Sequence, residues 1–172
     1  MRQHEPAWSR ALPGGLVVAL ATLGPIGKKL PAPGTWGSVA GLLYFAACFQ
    51  HSSIRVVVLG SAVACALAVV ICGAAEHRLG KSDPGEVILD EFVVMPLCFL
   101  GWRELPGALP LWVVWLAGFA LFRLFDIAKP LGIARLQSLP GGWGVVADDV
   151  AAALAACATL HLGAWALSRA GL

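Results

Sequence analysis

The residues best equipped for chemistry are the acids. Of the ten aspartates and glutamates in 172 residues, eight fall in two polar stretches, 76–91 and 123–149: Glu76, Asp83, Glu86, Asp90, Glu91, Asp126, Asp148 and Asp149. Several carboxylates without histidine or cysteine partners suit a hard, oxygen-loving cation such as Mg²⁺ and not zinc. Lys28, Lys29, Arg123 and Lys129 lie in the same kind of stretch. A divalent ion beside ammonium and guanidinium groups is what phosphoryl oxygens require, so the expected substrate is phosphorylated. Pro33-Gly34-Thr35-Trp36-Gly37-Ser38 offers glycines that let backbone N–H groups approach an anion, hydroxyls at Thr35 and Ser38, and an expected helix N-terminus just beyond. The same composition also fits a turn followed by a serine N-cap. Neighbours on a helix cannot both face one way, so one member each of Asp90-Glu91 and Asp148-Asp149 is expected to face a site while the other caps or pairs with a cation. Asp149, before an alanine-rich run, is itself an N-cap candidate.

What must position these groups is unusually apolar. The chain is 59% hydrophobic and 13% charged, against about 45–50% and about 25% for an ordinary soluble domain. Apolar runs at about 37–49, 55–75, 87–101, 111–125 and 150–167 predict an all-α integral membrane bundle of transmembrane or re-entrant helices, with polar motif loops on one face. Residues 1–172 read as a single domain, with 1–10 a poorly ordered lead-in and Ala11–Leu23 an amphipathic or partly inserted helix. If each of the five runs crosses once, the polar connections 24–37, 76–91 and 123–149 share a side. That side carries Lys28, Lys29, Arg78, Lys81, Arg123, Lys129 and Arg135, and the other carries Arg55, Arg103 and Arg169. Seven cations against three predict that the polar face is cytoplasmic.

Other chemistries fall away. A net charge of +2 with a single tyrosine gives no nucleic-acid footprint. The five cysteines, Cys48, Cys65, Cys72, Cys98 and Cys157, sit in apolar runs without a Cys-x2-Cys pair and read as packing residues. Cys72 and Arg78 have the spacing of a cysteine-phosphatase loop, but Glu76 would place a negative charge where phosphate should sit. The four histidines are scattered with no metal-binding spacing. A membrane transporter or cation-conducting bundle is the alternative of a different class; it calls for acids at mid-segment and an internal repeat, whereas here the acids gather at segment ends.

Four motifs in order, Pro33-Gly34-Thr35-Trp36-Gly37-Ser38, then Asp83 with Asp90-Glu91-Phe92, then Phe122-Arg123-Leu124-Phe125-Asp126-Ile127-Ala128-Lys129-Pro130, then Gly141-Gly142-Trp143-Gly144 with Asp148-Asp149, resemble the phosphatidylglycerophosphatase A family over roughly residues 24–155. The resemblance implies a Mg²⁺-dependent bacterial enzyme of the inner membrane, multi-pass with its site facing the cytoplasm. Its implied reaction removes the terminal phosphate of the lipid phosphatidylglycerophosphate, leaving phosphatidylglycerol, in phospholipid biosynthesis. On that reading Asp90, Glu91, Asp126, Asp148 and Asp149 hold one or two Mg²⁺ ions, and Asp126, Lys129, Asp148, Asp149 and Thr35 are catalytic. Gly34, Gly37, Ser38, Lys28 and Arg123 bind the substrate. Water is the expected nucleophile, since no Asp-x-Asp-x-Thr pattern supports an aspartyl-phosphate. The chain departs from the family at Lys129-Pro130-Leu131-Gly132-Ile133, where Lys-Pro-x-Pro-Ile is usual.

Overall fold

The computed structural model describes residues 13–106, 109–130 and 132–171; the expectation for residues 1–10 lies outside them. All described regular structure is helical: α1 (Gly14–Ala21), α2 (Ile26–Lys29), α3 (Pro33–Cys48), α4 (Ile54–Leu79), α5 (Leu89–Val94), α6 (Leu111–Ala128) and α7 (Gly142–Arg169), with 3₁₀ turns at Met95–Phe99, Trp102–Glu104 and Ile133–Ser138. Three helices are long and apolar enough to cross a membrane, α4, α6 and α7. At 1.5 Å per residue α4 and α7 reach about 39 and 42 Å and α6 about 27 Å, against a hydrocarbon core of about 30 Å.

Exposed Val58, Leu59, Val63 and Leu67 on α4, and Trp112 and Leu116 on α6, would each be a liability in water and are at home in lipid. Small residues let the helices approach on their inner faces. A Cβ on Gly142 of α7 would collide with the carbonyl of Val69 on α4, and one on Gly118 of α6 with the ring of Phe99.

The run at 87–101 is not one continuous helix. Six residues of α5 pass directly into the 3₁₀ turn containing Pro96, whose missing N–H and ring favour such a break. Val93 through Phe99 are all buried, so the segment descends among its neighbours instead of facing lipid. Phe99 stacks on Phe45 of α3 at 4.5 Å, and His161 Nε2 of α7 lies 2.8 Å from the carbonyl oxygen of Leu100.

Two long-range tethers define the ends of the bundle. At one end Arg103 donates to the carbonyl of Gln50 at 2.6 Å, joining connections 49–53 and 101–110. At the other end Gln137 donates to Asp83 at 3.0 Å, joining 76–91 to 123–149. The eight-residue α1 lies across this second end: Gly14 approaches Arg78, and Ile88 donates to the carbonyl of Ala21. The three polar connections therefore share one end of the molecule.

Two expectations about helix starts are corrected. The 33–38 motif is not a loop before a helix; it forms the first turns of α3, which begins at Pro33, proline being well suited to that position. Helix α7 begins at Gly142 and not near 150, so Asp148 and Asp149 stand two turns inside it and neither is an N-cap. Gly132 has φ 82°, a conformation closed to proline, which is why the usual second proline of the Lys-Pro motif has no place in this backbone.

Candidate active site

The polar end converges on a group of buried carboxylates. Asp90 and Glu91 stand in the first turn of α5, and Asp149 reaches them from α7. One oxygen from each lies within 4.8 Å of the others. Asp90 and Asp149 are only 5% and 4% exposed. Burial, reinforced by neighbouring acids, pushes the Glu91 carboxyl up to about 8, and burial beside Glu91 raises Asp90 in the same sense. Burial and mutual repulsion favour the protonated acids, and a cation placed among them would favour the ionised ones.

Glycine-lined packing brings Glu91 into place. A Cβ on Gly34 would strike the Glu91 carboxylate, and one on Gly37 would come within 2.9 Å of Ile88. One turn on, Gly41 would meet Met95 and the Phe92 carbonyl at 2.6 Å. Glycines 34, 37 and 41 thus open one face of α3 to α5. Buried Ser38 donates to the Gly34 carbonyl at 2.8 Å and accepts from Arg123 at 3.4 Å. Half-buried Thr35 lies in the same first turn, its amide donating to Ala32 at 2.9 Å.

Two cations flank the group. Arg123, near the end of α6, pairs with Asp126 at 2.6 Å and approaches Glu91 at 3.8 Å. Lys129 pairs with Asp148. Lys129 ends α6 with φ 43°, a left-handed conformation that costs a non-glycine residue about 1 kcal/mol and turns the chain so that its ammonium meets α7. Burial alone would lower the Lys129 pKa, but the bond to Asp148 together with the negative charges of Asp148, Asp149 and Asp126 outweighs it and holds the ammonium charged.

The two acidic pairs therefore differ. Asp149 joins the carboxylate group while Asp148 takes the lysine, whereas Asp90 and Glu91 both join it. Asp126 borders the group through its tie to Arg123. Lys28 is exposed on α2 and makes no described contact with the acids, placing it on the rim. Gln137 ties the 133–138 turn to Asp83 at 3.0 Å, a contact that a lone glutamine between Leu136 and Ser138 does not announce.

The donor set suits a hard divalent ion. It is all oxygen and largely buried, and the Glu91 Oε2 and Asp148 Oδ1 atoms are buried without a hydrogen-bond partner. Fold and site together define an all-helical membrane protein with a group of carboxylates flanked by cations at its polar end.

The family model for phosphatidylglycerophosphatase A matches residues 19–164. The phosphatidylglycerophosphatase A of Haemophilus influenzae is 35% identical over 125 residues, covering 72% of this chain and 74% of the relative. That of Escherichia coli is 31% identical over 134 residues, covering 75% and 72%. No solved structure matches. The chain belongs to the phosphatidylglycerophosphatase A family, and it is a phosphatase.

Proposed function

We propose that the protein catalyses the Mg²⁺-dependent hydrolysis of the terminal phosphomonoester of phosphatidylglycerophosphate, yielding phosphatidylglycerol and phosphate in phospholipid biosynthesis, at the cytoplasmic face of the bacterial inner membrane. The observation that carries this reading is the group Asp90, Glu91 and Asp149, one oxygen of each within 4.8 Å of the others. These three residues would hold the ion, with Asp126 and Asp148 at its margin. When bound, Mg²⁺ supplies Lewis acidity and charge at the phosphoryl oxygens.

The remaining work belongs to the chain. Arg123, steered by Asp126 and Ser38, and Lys129, steered by Asp148, neutralise phosphoryl oxygens as charge develops on them. Gly34 and Thr35 lie in the first turn of α3 and bring its positive end towards the same group, with Gly37 giving the room for that approach. Lys28 on the rim attracts the anionic headgroup. A water oxygen forms the new bond to phosphorus as the ester P–O bond breaks, and the departing glycerol oxygen takes up a proton. The apolar flanks of α4, α6 and α7 keep the acyl chains in the bilayer, so only the headgroup has to move. The acids lie at one end of the bundle and not along a path through it, which disfavours the ion-conducting alternative.

Phosphate release from phosphatidylglycerophosphate by the detergent-purified protein tests the reading. Release with Mg²⁺ that stops in excess chelator and returns on adding Mg²⁺ is the expected result. Release indifferent to chelator removes the metal, and no release from folded protein removes the substrate.

A further inference from the structure

A second polar feature of this end takes no part in the chemistry above. A cleft of about 600 Å³ opens between the end of α4, the 81–83 turn and the start of α7, lined by Glu76, Lys81, Asp83, Gln137, Gly144 and Val145 among others. Its floor adjoins the carboxylate group, since Gly144 and Val145 precede Asp148 and Asp149 by one helical turn, about 5.4 Å.

The walls are held open by a polar chain. Glu76 accepts from the Asp83 amide at 2.7 Å, and Asp83 accepts from Gln137 at 3.0 Å. Asp83 holds φ 47° to do so. Each of the three side chains keeps hydrogen-bonding capacity beyond these bonds. The lining carries two carboxylates, Glu76 and Asp83, against His77 and Lys81, whose ammonium is engaged by Glu86 at 3.4 Å. Such a wall repels phosphate and welcomes hydroxyl groups, which donate to carboxylate oxygens and exchange hydrogen bonds with an amide.

We infer that this cleft is a subsite for the hydroxyl-bearing, uncharged part of the substrate headgroup, the glycerol unit next to the scissile phosphate, with Asp83 and Gln137 as its specificity-determining residues. The inference rests on the phosphatase reading. With the terminal phosphate at the carboxylate group, the neighbouring glycerol unit with its free hydroxyl is the part of the headgroup within reach of a cleft one helical turn away.

The test compares phosphatidylglycerophosphate with an analogue lacking only the glycerol 2-hydroxyl, using the wild type, Gln137→Leu and Asp83→Asn in detergent with Mg²⁺. The wild type is expected to favour the natural lipid in kcat/KM by roughly tenfold, the worth of one charge-assisted hydrogen bond. The variants should turn over the analogue at the wild-type rate and lose that preference, which also shows that they fold. A wild type indifferent to the hydroxyl, variants that keep the preference, or variants inert towards both lipids would each overturn the subsite. A wild type that hydrolyses neither lipid would instead bring down the phosphatase reading and the subsite with it.

Discussion

Lys129 and Asp148 show how tightly charge is balanced at this site. Asp148 is almost fully buried, so removing its partner leaves an uncompensated carboxylate. We expect Lys129→Met to destabilise the protein by about 3 kcal/mol, read as a lower thermal midpoint in detergent. Lys129→Met combined with Asp148→Leu should recover the midpoint and remain inactive, separating the structural role from the chemical one.

Glu91 gives the pH dependence. Burial and the neighbouring acids push its carboxyl up to about 8 in the fold without metal, against about 4.3 in an unfolded chain. The metal-free fold therefore keeps the proton that the unfolded chain releases, and Glu91 erodes stability as pH rises between those two values. Mg²⁺ favours the ionised group, so its stabilising effect, followed as a thermal shift, should be larger at pH 8 than at pH 6. A shift that shrinks as pH rises would contradict this. The sequence already indicated that these acids lie together at segment ends. It did not indicate that Asp90 and Glu91 would act together, because that depends on α5 being only six residues long and on Gly34 leaving room for the longer side chain.

At the scale of elements, glycine placement decides which helices meet closely. A methyl group at Gly142 has the Val69 carbonyl in its way, whereas one at Gly163 on the same helix meets open space. Gly142→Ala should cost about 1–3 kcal/mol and Gly163→Ala should be neutral or gain up to about 1 kcal/mol, both measurable by thermal or chemical unfolding. A Gly142→Ala variant as stable as the wild type would mean that α4 and α7 do not pack as described. The apolar runs were legible as helices from their length and composition. The starts of α3 and α7 were not, because Gly-rich segments read as loops when their glycines serve close packing instead: Gly37 admits Ile88, and Gly142 admits Val69. The course of 87–101 was legible only in part: Pro96 marks a break, but composition does not say whether so short an apolar run crosses or is buried against neighbours.

For the whole molecule, the ends differ in charge as well as chemistry. The polar end collects seven of the cations counted above, and the opposite end has Arg55, Arg103 and Arg169, an asymmetry that favours a cytoplasmic site. In a chain with its five cysteines replaced, Ser82→Cys beside the cleft should react with a membrane-impermeant maleimide only from the cytoplasmic side, and Ser52→Cys only from the periplasmic side. The reverse pattern would invert the orientation.

The most direct measurement is the rate at which Asp149→Asn, at saturating Mg²⁺, releases phosphate from phosphatidylglycerophosphate relative to the wild type. Asparagine keeps the size of the side chain and removes the charge that the carboxylate group contributes to the ion. We predict a loss of at least about a hundredfold in protein whose thermal midpoint without Mg²⁺ is unchanged or higher. A folded Asp149→Asn protein working at the wild-type rate would contradict the account, because the buried carboxylates would then not be the centre of the chemistry.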